Sequence, residues 1–226
     1  MSKIGGIFLK KAISILLIII GVLVLLIPLF TEQIVDHYSK SVLNEDISKE
    51  TLKANNKNNT FDAEFDFSAV ENVDIKSVIR ASQNFNEDLV IGTLSIPSLK
   101  INLPIMKGLS DANLMVGAAT MKPDQSLGVG NYTLAGHHMK KKDLLFGNLM
   151  NIKIGDMIFI SDGNKIYKYK IYDTVISPDT NIDMLSDKNA DKRGKPIISL
   201  MTCYFSSNTG KRFFALGELV DESPVD

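Results

Sequence analysis

Three kinds of side chain in this sequence could together catalyse attack on a carbonyl: a thiol as nucleophile, an imidazole as acid and base, and a guanidinium as hydrogen-bond donor. Cys203 is the only cysteine, and it follows an apolar stretch, so we expect it at the exit of a buried strand. His137 and His138 follow a strand-like segment and a glycine, which permits a sharp exit from that strand. Arg212 lies nine positions after Cys203, so in an antiparallel pair of strands the two side chains would face each other.

Each of these residues also has a plain structural interpretation. A lone cysteine beside an apolar strand is often just a small buried hydrophobe. The two histidines would then be partly exposed turn residues, and Arg212 a surface charge that limits edge pairing. Taken singly, the thiol, the imidazoles and the guanidinium do not decide between chemistry and structure.

Composition excludes several classes of protein. The 226 residues carry 25 basic and 26 acidic side chains, a balance that gives no basic surface for nucleic acid. One cysteine rules out a disulfide scaffold, and with three histidines it leaves too few ligands for an ordinary structural zinc site. A hydrophobic content of 45% excludes a wholly disordered chain.

The N-terminal part of the sequence predicts a membrane anchor. Residues 12–30 contain no charged side chain, and as a helix they would span about 28 Å, close to the hydrocarbon core of a bilayer. Lys3, Lys10 and Lys11 precede this run. Positive charges remain on the cytoplasmic side, so we expect a single-pass protein of the cell membrane with an extracellular C-terminal part.

Glycine and proline divide the rest of the chain. Neither occurs between residues 31 and 91, whereas 12 of 15 glycines and six of seven prolines lie from Gly92 onward. The distribution predicts an anchor over residues 1–30, a stalk or linker over 31–88 and a turn-rich domain over 89–226. Within the stalk, residues 61–79 regain apolar side chains and would form a short strand and helix docked on the domain.

The C-terminal domain is predicted to be mainly β. Alternating or β-branched segments punctuated by turn residues predict several short strands and two short helices. The predicted strands cover residues 93–96, 100–105, 131–135, 156–161, 165–176, 196–202 and 212–220, and the helices 110–116 and 144–150. Asp162 and Gly163 suit a tight hairpin turn. This arrangement favours a closed or nearly closed antiparallel barrel.

The order of these segments resembles that of class A sortases. Residues 130–138 (GNYTLAGHH) are similar to the sortase histidine motif, and residues 200–203 (LMTC) to the end of the sortase cysteine signature. Arg212 occupies the position of the family's arginine, and residues 117–125 (GAATMKPDQ) also look like class A. The resemblance covers roughly residues 90–220, and it implies an eight-stranded sortase-type β-barrel with short helices.

The resemblance also implies a mechanism. The protein would be a cysteine transpeptidase that cleaves a Leu-Pro-x-Thr-Gly sorting signal of secreted surface proteins between Thr and Gly. Cys203 would attack the threonine carbonyl, His137 would protonate the departing amine, and Arg212 would orient the substrate and stabilise the oxyanion. His137 rather than His138 matches the family position. The acyl group would then pass to an amine of a peptidoglycan precursor, lipid II.

A groove for the Leu and Pro of the signal would be lined near Ala135, Met201 and Thr202, together with the loop from residue 177 to 195. No cofactor is expected. Calcium-dependent class A enzymes carry acidic residues where this chain has Lys122 and Gln125, so the resemblance predicts no metal site and no calcium requirement. A lysine ammonium can supply the charge of a bound ion.

Other interpretations of the sequence remain open. A class D-like sortase would share the layout and prefer a signal ending in Thr-Ala. A papain-like hydrolase would place its cysteine before its histidine, the reverse of the order seen here. A non-enzymatic, membrane-tethered β-domain would bury Cys203 in its core and keep it from reacting with iodoacetamide.

Overall fold

The structure, a computed structural model, describes residues 2–44, 49–57, 65 and 85–225. Its helices are α1 (Ser2–Asn44), α2 (Lys49–Lys57), α3 (Asp111–Val116) and α4 (Lys188–Arg193). The strand and helix predicted between residues 61 and 79 lie outside the described residues except for Phe65, which forms a parallel bridge with Leu109.

The membrane-spanning helix predicted over residues 12–30 is not found. Across the part of the chain that the structure describes, no helix is both long enough and apolar enough to cross a membrane.

The C-terminal domain is a β-barrel, as predicted. Within the described residues, eight strands close in the order β1-β2-β3-β4-β7-β8-β6-β5. The strands are β1 (Val90–Ile96), β2 (Ile101–Met106), β3 (Ala118–Thr120), β4 (Asn131–Ala135), β5 (Met157–Ser161), β6 (Lys165–Pro178), β7 (Ile197–Cys203) and β8 (Lys211–Pro224). β1 pairs with β5 and closes the barrel, which leaves no open sheet edge between these strands.

Two pairs in the barrel are parallel, so the prediction of an antiparallel barrel was partly wrong. β2 runs parallel to β3, and β4 runs parallel to β7. A parallel pair needs a crossover connection. Helix α3 provides the crossover between β2 and β3, and the long β5–β6 hairpin with the loop before β7 separates β4 from β7.

The predicted helix over residues 144–150 was also wrong. Only Leu149–Asn151 forms a single 3-10 turn there. Leu145 has φ 47°, a left-handed conformation that an α-helix of L-residues cannot continue through. The other predicted helix is confirmed as α3, whose first turn is capped by the Ser110 side chain accepting a hydrogen bond from the Asn113 N–H at 3.2 Å.

The sheet has two apolar faces, and their difference positions the site. The barrel interior is the larger hydrophobic cluster, to which every strand contributes, including Leu134 and Leu200. A second cluster lies on the opposite face of β4, β7 and β8, where Ala135, Met201 and Phe214 are buried. Successive residues of a strand point to opposite faces, so the sequence alternates between the two clusters.

Candidate active site

Cys203 and Arg212 occupy opposite positions on two neighbouring strands. Cys203 is the last residue of β7, and the antiparallel register of β7 and β8 pairs it directly with Arg212. Directly opposed residues have Cβ atoms about 5 Å apart, on the same face. Cys203 is 2% exposed and Arg212 9%, so a reaction here would take place largely out of water.

The Arg212 guanidinium is oriented from the end of β6. Its Nη1 lies 3.8 Å from the Asp179 carboxylate, which follows β6, and 3.4 Å from the carbonyl of Lys211. Asp179 was not singled out in the sequence. One acid among 26 carries no local signal of this contact, because the β6–β8 pairing creates it.

The backbone around His137 is fixed to the strand that carries Cys203. The Gly136 N–H donates to the Met201 carbonyl at 3.0 Å, and the Thr202 hydroxyl donates to the Gly136 carbonyl at 2.7 Å. The His137 carbonyl accepts from the Phe146 N–H at 3.1 Å. His137 is 2% exposed, so its imidazole is presented within the folded domain beside the end of β7.

Gly136 allows this sharp exit for a steric reason. A Cβ added at residue 136 would lie 2.6 Å from the ring of Phe146, a distance that side-chain carbons do not adopt. The chain leaves β4 under that ring only because residue 136 has no side chain.

The two histidines have separate surroundings. His138 is partly exposed, and its ring meets that of Phe205 edge-on at a centroid distance of 6.4 Å. Burial lowers the pKa of His138 below its ordinary value. It lines a cavity that also includes Tyr204 and Phe213.

The three predicted groove residues do not share a face. Ala135 and Met201 belong to the same cluster as Cys203, on the outer face of the sheet. The Thr202 side chain points the other way, where it is buried and bonds to Gly136. The structure therefore brings Ala135 and Met201 together with the thiol and places Thr202 behind them.

The loop between β6 and β7 is tied to the start of β4 by one carboxylate. Asp187 Oδ1 accepts from the Lys122 ammonium at 2.7 Å and from the Asn131 N–H at 2.8 Å. The Lys122 hydrogen bond, followed by that of Asn131, holds the pKa of Asp187 below its usual range. Gly130, with φ 56°, permits the approach, since a Cβ there would lie 2.6 Å from the same oxygen.

Gln125 bonds to the backbone of β4 rather than to the β6–β7 loop. Its side chain accepts from the Thr133 N–H at 3.1 Å and donates to the Thr133 carbonyl at 2.9 Å, so it pairs with β4 like a short strand. Among the described residues, no group of three or more His, Cys, Asp or Glu is placed to hold a metal ion. Sequence reasoning found Lys122 but not its partner Asp187, because the two are far apart in the chain.

Helix α4 in the same loop is held to β8. Arg193 forms an ion pair with Glu218, with its Nε 2.6 Å from the carboxylate, and its guanidinium lies 4.3 Å from the centre of the Tyr172 ring. The Arg193 hydrogen bond lowers the pKa of Glu218. The loop is thus attached at two points, to the start of β4 through Asp187 and to β8 through Arg193.

Known proteins are similar to this chain in sequence and in architecture. Residues 94–220 match the profile of the Sortase domain. The chain is 40% identical to Sortase A of Listeria monocytogenes over 93% of this chain and 91% of that protein. It is 37% identical to Sortase A of Bacillus anthracis, over 69% of this chain and 70% of the relative.

A solved structure extends the likeness to the fold. The structure of Listeria monocytogenes sortase A superposes with a TM-score of 0.56 at 37% identity, over 61% of this chain and 92% of that one. The chain therefore belongs to the sortase family, within class A, the transpeptidases that anchor proteins to the cell wall.

Proposed function

We propose that Cys203, His137 and Arg212 are the catalytic residues of this transpeptidase. The observation that carries the proposal is the direct pairing of Cys203 with Arg212 across β7 and β8. Gly136, the residue before His137, is hydrogen-bonded to β7 beside this pair. Cys203 attacks the carbonyl of the sorting signal, and the C–N bond to the following residue breaks as the thioester forms.

Arg212 and His137 take complementary parts in this step. The guanidinium donates to the oxyanion or to the substrate backbone, and its fork can make two parallel hydrogen bonds. His137 protonates the leaving amine and later removes a proton from the incoming amine. Thr202 is a positioning residue, because its hydroxyl holds the segment that presents His137.

The sorting signal binds on the outer face of the sheet. Ala135 and Met201 lie there with Cys203, and Leu185 from the β6–β7 loop covers the same cluster. An apolar face flanked by a tethered loop suits the Leu and Pro of a Leu-Pro-x-Thr-Gly signal. Release or shift of the loop would admit the peptide, since these side chains are buried in the absence of substrate.

We further propose that residues 12–30 anchor the protein in the cell membrane. This segment has no charged residue, and the described part of α1 exposes large apolar side chains from Ile13 to Leu26, including Leu25 at 77%. Apolar surface of that extent is unfavourable in water. Lysines before the segment would keep the N-terminus cytoplasmic and the unit from residue 89 to 226 outside.

The anchor has its own test. The full chain and a chain beginning at Thr31 are expressed side by side, and membranes are washed with alkaline carbonate. The full chain should remain in the pellet and the shorter chain should be soluble. Recovery of the full chain in the wash would contradict the anchor.

The catalytic proposal is tested on the soluble chain that begins at Thr31. A quenched Leu-Pro-x-Thr-Gly peptide is offered with and without a triglycine amine, and Cys203→Ala serves as the control. The wild type should cut the peptide and incorporate the amine, and the variant should do neither. A peptide ending in Thr-Ala, offered in competition, distinguishes a class D-like preference. An intact peptide and no acyl-enzyme by mass spectrometry would overturn the proposal.

A further inference from the structure

The C-terminal part of helix α1 is packed onto the barrel along one face. Val35, Ser39 and Val42 recur at helical spacing, and each is at most 4% exposed. Val35 belongs to the larger hydrophobic cluster of the barrel, and Val42 belongs to a small cluster with Val90 at the start of β1. The direction in which α1 leaves the barrel is therefore set by packing.

An ion pair also joins α1 to the segment that follows β4. The Asp36 carboxylate accepts from the Lys141 ammonium at 3.3 Å and from that of Lys40, on the same helix, at 2.9 Å. Lys140 and Lys142, on either side of Lys141, are exposed. Neither of these two lysines forms an ion pair within the described part of the chain. The contact with Asp36 thus places two ammonium groups without carboxylate partners beside α1.

This part of α1 lies a short distance from the proposed membrane segment. The helix is unbroken from Ser2 to Asn44, so Asp36 comes six residues after residue 30, the end of the uncharged run. Six helical residues rise about 9 Å, and any tilt of the helix reduces that height. The headgroup layer of each leaflet is about 5–7 Å thick. Long lysine side chains beside Asp36 are therefore within reach of the headgroups.

The charge of these lysines contrasts with that of the rest of the chain beyond residue 30. Lys3, Lys10 and Lys11 are the only charged residues before residue 31, which leaves 22 of the 25 basic and all 26 acidic side chains, a net charge of −4. An anionic surface repels such a unit as a whole. Beside α1, however, the chain has its one run of three consecutive lysines, residues 140–142. Attraction at this run acts at short range, because salt screens charges over about 10 Å.

We propose that residues 140–142 bind the headgroups of anionic phospholipids and hold the barrel in one orientation on the membrane surface. The inference rests on the proposed anchor at residues 12–30. Lys141 bonds to Asp36 and sets the distance of the segment from α1. The lysines on either side of it donate to headgroup phosphates. His137 precedes this run by three residues, so the candidate active site lies close to the lipid surface.

The test uses the full chain in lipid nanodiscs of two compositions, phosphatidylcholine alone and equal parts of phosphatidylcholine and phosphatidylglycerol. Lysines are acylated with acetic anhydride, an uncharged reagent, and mass spectrometry gives the rate at each residue. Lys188 and Lys192 are the internal controls, because both are exposed and lie on α4. That helix adjoins the start of β4, whereas residues 140–142 follow its end.

We expect Lys140 and Lys142 to be acylated about threefold or more slowly in the anionic discs than in the zwitterionic discs, because a negative surface raises the local proton concentration and keeps nearby amines protonated. The difference should vanish in about 1 M salt, where the screening length is about 3 Å. Lys188 and Lys192 should react equally in both discs. Equal rates at Lys140 and Lys142 in the two discs would overturn the inference.

Entry of the chain into the discs separates this inference from the anchor on which it rests. If the full chain enters the discs but Lys140 and Lys142 react alike in both, only the inference fails. If the full chain does not co-purify with the discs, the anchor and the inference both fail. Slowing to the same extent in both discs, relative to detergent micelles, would indicate shielding by the bilayer without binding of anionic headgroups, and it too would overturn the inference.

Two matched variants test whether α1 positions the lysines. Asp36→Asn and Asp143→Asn each remove one carboxylate beside the Lys141 ammonium, at 3.3 and 3.7 Å, so both change the attraction to anionic lipid alike. Only Asp36→Asn detaches the segment from α1. We expect the difference between the discs at Lys140 and Lys142 to fall below about twofold in Asp36→Asn and to persist in Asp143→Asn. The same difference in both variants, at unchanged melting temperature, would contradict positioning by α1.

Discussion

The thiol and the guanidinium of the site depend on each other through the register of two strands. β7 ends at Cys203, and Arg212 follows the first residue of β8, so a shift of one residue between the strands would turn the two side chains to opposite faces. The buried outer cluster on one side and the barrel core on the other both oppose such a shift. Packing that stabilises the barrel thereby also fixes the geometry of the site.

The guanidinium should not be replaceable by another cation. In Arg212→Lys the positive charge remains, but the fork of donors is replaced by a single ammonium on a flexible stem. We expect kcat for donor cleavage to fall about 100-fold, as when one oxyanion donor is lost. Steady-state cleavage of the quenched peptide measures this. Lys211→Gln, at an exposed neighbour, is the control, and full activity of Arg212→Lys would refute the role.

Thr202 should act on catalysis only through the segment that it holds. Thr202→Val keeps the shape but leaves the buried Gly136 carbonyl without its side-chain donor, which costs about 1–3 kcal/mol of unfolding free energy. We expect kcat to fall while the donor KM is unchanged. Thr202→Ser, which retains the hydroxyl, should recover most of the lost unfolding free energy and most of the lost kcat. Denaturant unfolding and cleavage kinetics are the measurements, and a Val variant equal to the wild type in both would exclude the positioning role.

Residue types and motifs suggested the candidate site, but the partners of its residues could not be predicted. Cys203, His137 and Arg212 are recognisable because their motifs are local in sequence. Asp179 and Asp187 gained their contacts only when β6 and its following loop folded against β4 and β8. Thr202 was expected in the groove, but strand alternation turns its side chain to the other face of the sheet.

Among the structural elements, the β6–β7 loop is held in place by a lysine ammonium. Lys122 is 23% exposed and Asp187 65%, so their ion pair contributes little to global stability, about 0–1 kcal/mol. The ion pair instead fixes the position of the loop, because Asp187 also accepts a hydrogen bond from the Asn131 N–H at the start of β4. The loop position thus depends on one carboxylate shared by two donors.

Breaking this tether should weaken donor binding without making the enzyme calcium-dependent. We expect Lys122→Ala and Asp187→Ala each to raise the donor KM severalfold, and the double variant to add little more, because both remove one interaction. EDTA and added Ca²⁺ should leave the wild type unchanged. Lys188→Ala, next to Asp187 and exposed, is the matched control. Activation by Ca²⁺ would show that the loop uses a metal.

The same tether has a defined dependence on pH. The pKa of Asp187 is lowered in the folded state, so the contribution of the ion pair is complete above the ordinary carboxyl value of about 3.9 and is lost as the pH falls through the lower folded value. We therefore expect the Lys122→Ala effect on donor KM to be constant from about pH 5 to 8. Loss of that effect within this range would contradict the role of Asp187.

The exit from β4 should tolerate no side chain at all. Gly136→Ala places a Cβ against the Phe146 ring, so Phe146 must shift. The backbone N–H of Phe146 donates a hydrogen bond to the His137 carbonyl, and the shift would disturb that bond as well. We expect a loss of about 1–3 kcal/mol in stability and a larger loss of kcat than of donor affinity. Gly155→Ala, where a Cβ meets nothing within 4 Å but φ is 96°, gives a control for backbone strain alone. Equal kcat in the two variants would refute the argument.

Among the described residues, the sequence predicted every strand of the barrel except β3. β4 was predicted with its observed bounds, and β6 with its alternation of buried tyrosines and exposed lysines. β3 was missed because three residues are too few to form a recognisable strand pattern. The helix predicted at residues 144–150 failed because apolar periodicity does not reveal the left-handed conformation of Leu145.

For the whole molecule, the barrel order could not be derived from local patterns, since parallel pairs such as β4 with β7 join residues far apart in the chain. The N-terminal helices add contacts that the stalk prediction did not foresee. α1 buries Val35 in the barrel cluster, and α2 buries Leu52 beside Val90. Part of the segment between residues 31 and 88 thus packs against the barrel.

Helix α2 should stabilise the barrel without regulating it. The Asn55 amide donates to the carbonyls of Glu87 and Val90 at 3.2 and 2.9 Å, and both belong to the entry of β1, away from β4 and β7. We expect Asn55→Ala to lower the free energy of unfolding by about 1–3 kcal/mol, because the buried Val90 carbonyl loses a donor and the partly buried Glu87 carbonyl loses another. Donor cleavage below the unfolding range should stay within about twofold of the wild type.

Two comparisons decide whether that expectation holds. Lys57→Ala, exposed on the same helix, should change neither stability nor cleavage. A chain that begins at residue 85 should be less stable than one that begins at residue 49, with the same kcat when both are folded. If the shorter chain instead cleaves the donor severalfold faster, the N-terminal segment covers the site, and its contacts with β1 are part of a regulatory mechanism rather than of the fold.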